Sequence, residues 1–230
     1  ASGLRWVEFD AKLSGDGVPL LFHDDTLDRT TNGEGPVAVT PFAAIRALDA
    51  GSWFGPDFAG ETVPTLLETL ALLVECGMGA NVEIKPCPGR EMETASVVSS
   101  AIEAHWPADY GRLIVSSFSR AALARARDVA PGLPRGLVVW DRMATMMEDA
   151  AALDCVSIHC AHQHLTREMA YAVKAAGYIL AVYTVNDPAL AHQLIEWGVD
   201  TIISDDSGTL GTTVSDSTGR ASDRGQVPAA

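Results

Sequence analysis

Basic residues are scarce in this chain: 16 Lys and Arg stand against 30 Asp and Glu in 230 residues, a formal net charge of −14. That balance argues against nucleic acid and against anionic membrane surfaces, because both need basic patches. It leaves room for a small anionic substrate, since a bound metal reverses the local sign. Long apolar runs are missing, and none approaches the roughly 20 residues of a membrane helix. Cysteine is sparse. Cys76, Cys87, Cys155 and Cys160 form no C-x-x-C pair. Four scattered thiols make no disulfide scaffold and suit a reducing compartment, so a cytoplasmic location is expected.

What remains is globular in composition, 47% hydrophobic and 20% charged. Short apolar runs alternate with longer amphipathic stretches. Leu4–Phe9 reads as a strand ending in Asp10, and a turn at 14–17 leads to a second strand over Val18–Phe22. Residues 24–64 are rich in Gly, Pro, Asp and Thr, with one short helical piece near Phe42–Leu48. From Pro64 onward, helices and Val/Ile/Leu strands alternate. Strands are expected near 80–84, 113–116, 136–139, 155–158, 179–183 and 199–203, with Gly77, Gly177 and Gly198 as helix stops. Repeating β/α units with doubly buried strands point to a parallel sheet and a TIM (β/α)8 barrel. Outside the hairpin arm the count is seven strands, one short of eight. Ser207–Ala230 holds few sizeable apolar groups and reads as a disordered tail, leaving a barrel domain over 1–206.

Catalytic groups of such barrels stand at the C-terminal strand ends. The first strand ends Glu8-Phe9-Asp10, with both carboxylates on one face by the period of two. The hairpin arm ends His23-Asp24-Asp25, and Lys85 follows Glu83 on the same face. Three converging carboxylates need a counter-charge. Oxygen ligands suit a hard divalent cation, Mg²⁺ or Ca²⁺. Lys85 and Arg29 are suited to an anion's oxygens, and His23 to acid–base work. Together these point to phosphoryl-ester cleavage.

Several stretches resemble the glycerophosphodiester phosphodiesterase family, in its cytosolic bacterial branch. They are "VEFDAKLSGDGVPLLFHDDTLDRTTNG" at 7–33, "DAGSWF" at 49–54, "PTL" at 64–66, "ANVEIKP" at 80–86, "SSF" at 116–118, "VSIH" at 156–159, "YTVN" at 183–186 and "GVDTIISD" at 198–205. The resemblance implies a barrel of the phospholipase-C-like phosphodiesterase type. It also implies metal-dependent hydrolysis of glycerophosphodiesters to sn-glycerol 3-phosphate and an alcohol, by way of a cyclic phosphate. Carried over, Glu8, Asp10 and Glu83 hold the metal and His23 is one of two catalytic histidines. Lys85 contacts the phosphate, while Phe118 and Tyr183 shape the glycerol pocket. The family's opening His-Arg-Gly strand and Pro-Glu-Asn-Thr helix start do not occur here. They correspond in length to the missing unit, about 30 residues. The chain is therefore expected to lack its first β/α unit and to be impaired in activity. An open barrel would leave unpaired edges near 4–10 and 199–203, a seam that another copy could pair with.

Blander readings stand beside these. Trp53 either covers the site from the long loop or packs on the barrel. His159 either lines the pocket mouth or is core. Cys155, His159, Cys160, His162 and His164 lack the tight paired spacing of a zinc site. A non-catalytic remnant that still binds metal or glycerophosphate is the rival from another class. A glycosidase using Glu8 and Glu83 is a third reading, and it predicts no metal requirement. A phosphoinositide phospholipase would want a basic membrane patch, which is lacking.

Overall fold

Five- and six-residue runs of Val, Ile, Leu and Ala become strands because both faces of each are covered. The computed structural model describes residues 4–206, 208 and 210. β1 (Trp6–Leu13) returns through a turn as the short antiparallel β2 (Pro19–Leu21). After α1 (Phe42–Arg46), within the long loop, the alternation begins. It runs α2 (Leu66–Glu75), β3 (Gly79–Ile84), α3 (Glu91–His105), β4 (Leu113–Ser117), α4 (Arg120–Val129) and β5 (Arg135–Val139). It continues with α5 (Met146–Ala152), β6 (Ser157–Ala161), α6 (Arg167–Ala175), β7 (Ile179–Tyr183), α7 (Pro188–Glu196) and β8 (Thr201–Ile202). Local chemistry sets the helix ends. Thr65 and Glu68 form a reciprocal capping box at α2, and Ser119, Thr166 and Asp187 cap α4, α6 and α7 through their side chains. Among the described residues no helix is long and apolar enough to cross a membrane.

The strand order is β2-β1-β3-β4-β5-β6-β7-β8, and every pairing except β1–β2 is parallel. The seven parallel strands expected from the sequence are all present, in a barrel-type sheet that curls without closing. Among the described residues β1 and β8 do not pair, and the seam lies between them. Asp205, just past β8, lies near enough to Glu8 of β1 for its charge to act on that carboxyl.

Several boundaries differ from the sequence reading: β6 runs Ser157–Ala161 where 155–158 was expected, which puts His159 inside the strand, and β8 keeps only Thr201–Ile202 of 199–203. β1 continues to Leu13, because Ala11, Lys12 and Leu13 are all buried. Leu210 is buried in the main core, four residues beyond the 206 boundary drawn for the domain. Of the expected disordered tail, 207, 209 and 211–230 lie outside the described residues.

The sheet's outer face packs on the helices in two core clusters. A third cluster lies under the long loop and gathers Leu20, Phe22, Leu27, Val37, Ile45 and Val63. This small core fixes the segment that carries His23 and Arg29.

Candidate active site

Alternation along β1 puts Glu8 and Asp10 on one face, and the parallel register sets Asp10 beside Glu83 of β3. One oxygen from each of Glu8, Asp10 and Glu83 lies within 4.8 Å of the other two. Lys85, two residues past Glu83, places Nζ 3.1 Å from Asp10 Oδ1 and 3.1 Å from Glu83 Oε1. Burial, then the charges of Asp10 and Glu83, push the Glu8 carboxyl up to about 8. Burial, then the charge of Asp10, raises Glu83. Burial alone would lower the Lys85 ammonium, but Glu83 and Asp10 outweigh it and its pKa rises. Three carboxylates against one ammonium leave the cluster short of positive charge. An all-oxygen donor set in that state fits a hard divalent cation.

Lys85 also lies over the Phe118 ring, 5.7 Å from its centroid, and Phe118 meets Tyr183 edge to face at 6.0 Å. The Tyr183 hydroxyl donates to the Val139 carbonyl at 2.8 Å, and burial raises its pKa. Its phenol is therefore committed to the backbone, while its ring faces Phe118.

His23 follows β2 and is tied to the carboxylate strand by the Phe22 N–H, which donates to Asp10 O at 3.1 Å. His23 lies near enough to Glu83 for the two to interact. His23 and Arg29 share one partner: Asp24 lies 2.6 Å from His23 Nδ1 and accepts from Arg29 Nε at 2.6 Å and Nη2 at 2.7 Å. His23, Arg29 and Trp53 line a cavity of about 430 Å³ with Phe22, Glu61 and Val63. Trp53 is half exposed there, its Nε1 donating to Ala50 O at 2.8 Å. It borders the cavity rather than packing on the barrel.

His159 falls on the core side of the alternatives. It is buried inside the sheet, its Nε2 2.8 Å from Ser157 Oγ, and burial pushes its pKa down to about 4. No zinc centre assembles from the Cys/His stretch. Cys155 and Cys160 belong to the core, His162 and His164 sit on a surface turn, and His164 stacks against Trp140. Among the described residues, Glu8, Asp10 and Glu83 are the one group of three placed to hold a metal.

Three participants were given no role by the sequence reading. Asp24 was visible only as one of two acids after His23. Lys12, to which the sequence assigned no role, is 1% exposed and paired to Asp25 at 2.7 Å. Asp205, at the end of the last strand, acts on Glu8 across the seam.

Similarity to known proteins covers this whole arrangement. An Oleispira antarctica phosphodiesterase, solved in complex with the product sn-glycerol-3-phosphate, is 40% identical, with a TM-score of 0.89 over 93% of this chain and 86% of that one. A glycerophosphodiester phosphodiesterase of Caldanaerobacter subterraneus subsp. tengcongensis is 34% identical over 90% of this chain and 85% of its own length. One from Bacillus subtilis is 32% identical over 84% of this chain and 71% of its own. Residues 1–209 match the glycerophosphoryl diester phosphodiesterase family, a span that takes in every strand end described above. The chain belongs to that family.

Proposed function

We propose that this protein hydrolyses glycerophosphodiesters to sn-glycerol 3-phosphate and an alcohol. The observation that carries the reading is the convergence of Glu8, Asp10 and Glu83 with Lys85 at the C-terminal strand ends. It is joined by the relative 40% identical to this chain that was solved with sn-glycerol-3-phosphate.

Glu8, Asp10 and Glu83 would hold Mg²⁺ or Ca²⁺, which when bound polarises a phosphoryl oxygen as a Lewis acid. Lys85 faces the same space and is the point charge for a non-bridging phosphate oxygen. Arg29, at the neighbouring cavity, offers its guanidinium to another. Phe118 and the Tyr183 ring form an apolar wall for the glycerol carbons. Trp53 borders the cavity on the loop side, beside His23. His23 moves the proton: it takes one from the attacking hydroxyl or gives one to the alkoxide of the leaving alcohol. Attack by the substrate's own glycerol hydroxyl forms a P–O bond and breaks the P–O bond to the alcohol, leaving a cyclic phosphate that water reopens.

The test is incubation of the protein with glycerophosphocholine, with Mg²⁺, with Ca²⁺ and with EDTA, followed by ³¹P NMR. Release of sn-glycerol 3-phosphate only with a divalent cation is expected. Metal binding by calorimetry without turnover would overturn the reading in favour of a binding protein, and turnover in EDTA would remove the metal.

A further inference from the structure

The two acids after His23 take different partners. Asp25 pairs with the buried Lys12 ammonium, Oδ1 to Nζ 2.7 Å. Asp24 is the less exposed of the two and receives His23 Nδ1 and both Arg29 nitrogens at 2.6–2.7 Å. Arg29 holds Asp24 well below the usual carboxylate range, so Asp24 is ionised. An ionised carboxylate only accepts hydrogen bonds, so the His23 nitrogen facing it must carry the proton.

We propose that Asp24 is the positioning residue of the reaction: it locks His23 as the Nδ1–H tautomer, with Nε2 free for proton transfer, and aims Arg29 at the same cavity. This rests on reading the site as a phosphodiesterase. A purely structural role does not suit Asp24. All three of its donors lie within five residues, so it ties no distant elements together. The loop is held by other contacts: Lys12–Asp25, Val37 N to Asp25 O at 3.0 Å, and Leu27 N to Gly35 O at 2.9 Å. His23 and Arg29 are both more than half exposed. Free side chains of that kind sample several rotamers, and an exposed ion pair adds little stability. What Asp24 supplies is orientation. The charged groups around His23 are Asp24 and Arg29 on its own loop, Glu83 on β3, and Glu61 across the cavity. Of these, Asp24 alone bonds the ring.

The experiment uses the full chain with ¹⁵N-labelled histidine. Long-range ¹H–¹⁵N correlation above the histidine titration range reports which ring nitrogen bears the proton, and His23→Gln assigns the signal. Wild type is expected to show His23 as Nδ1–H. Asp24→Ala should release it to a mixture dominated by Nε2–H. In glycerophosphocholine hydrolysis the same variant should lose on the order of 10- to 100-fold in kcat, part of what a full acid–base deletion costs. Asp24→Asn, which keeps an acceptor oxygen, should fall between. Asp25→Asn should lower the melting temperature and leave the tautomer alone. A wild-type His23 in the Nε2–H form, or an Asp24→Ala enzyme with unchanged kcat, would overturn the proposal. An inactive wild type with the Nδ1–H tautomer intact would instead count against the phosphodiesterase reading.

Discussion

Lys85 Nζ lies 3.1 Å from Glu83 Oε1, two residues back on the same strand face, and among the described residues it is the one cation bridging two of the three clustered carboxylates. The ammonium offsets part of the cluster's negative charge, and burial with the neighbouring carboxylates raises the pKa of Glu8 and Glu83. Lys85→Met keeps the stem and removes the charge. In EDTA the variant should be less stable at neutral pH by about 1–3 kcal/mol, below the full cost of breaking a completely buried pair because Lys85 is 23% exposed. Urea unfolding measures this. With metal restored, turnover of glycerophosphocholine should still fall by roughly 10²–10³, since a charge aimed at the phosphoryl oxygens is gone.

A divalent cation bound by the three carboxylates stabilises the fold by mass action, by about 2.7 kcal/mol at a hundred times its Kd. Mg²⁺ or Ca²⁺ should therefore raise the melting temperature of the wild type. Glu83→Gln and Asp10→Asn should abolish most of that rise, and Glu61→Gln, outside the cluster, should keep it. A scan of melting temperature against cation concentration separates the cases. Equal shifts in all four proteins would place the cation elsewhere.

Much of this site was readable from the chain. The alternation of apolar runs located the parallel strands, and reading off what each one ends in gave Glu8, Asp10, Glu83 and Lys85. Period-two geometry is enough for that, because neighbouring parallel strands stay in register. The loop over 24–64 was less legible. Its order comes from a satellite core of widely spaced residues, among them Leu27, Val37, Ile45 and Val63, which show no helix or strand period. Lys12 was hidden for a related reason: a lysine in a sequence looks exposed until its partner, Asp25, is seen in space. The fate of His159 was equally undetermined, since a histidine one residue from a strand end suits a pocket mouth or an interior.

That buried imidazole makes a pH prediction. Burial lowers the folded pKa of His159 to about 4 from 6.5. A depressed histidine contributes stability that is full above pH 6.5 and is lost as pH falls toward 4, at up to about 1.4 kcal/mol per pH unit. Glu8, raised from 4.5 to about 8, runs the other way through the same range in metal-free protein. Glu68, lowered to about 2, contributes its loss only below its ordinary value of 4.5. The clean readout is therefore the difference between wild type and His159→Asn. The variant should be less acid-sensitive between pH 6.5 and 4 in urea unfolding at matched pH. Parallel curves would mean that His159 charges freely in the folded state.

Asp49 gathers the loop that carries Trp53. Its carboxylate accepts from Gly51 N, Ser52 N, Ser52 Oγ and Gly60 N at 2.7–3.0 Å, and these bonds hold it well below the usual carboxylate range. The knot is tight enough that Gly51 has no room for a side chain: a Cβ there would sit 1.9 Å from the Phe58 carbonyl oxygen. Gly51→Ala must therefore push the Phe58 backbone away, and with it the edge-to-face stack of Trp53, Phe54 and Phe58. The expected cost is about 1–3 kcal/mol, as for other overpacked positions. Because Trp53 borders the cavity that also holds His23 and Arg29, KM for glycerophosphocholine should rise several-fold while kcat changes less. Gly132→Ala is the control, since a Cβ at that turn meets nothing within 4 Å. If Gly51→Ala lowers stability but leaves KM at the wild-type value, Trp53 is a lid over its own loop and not a wall of the substrate cavity.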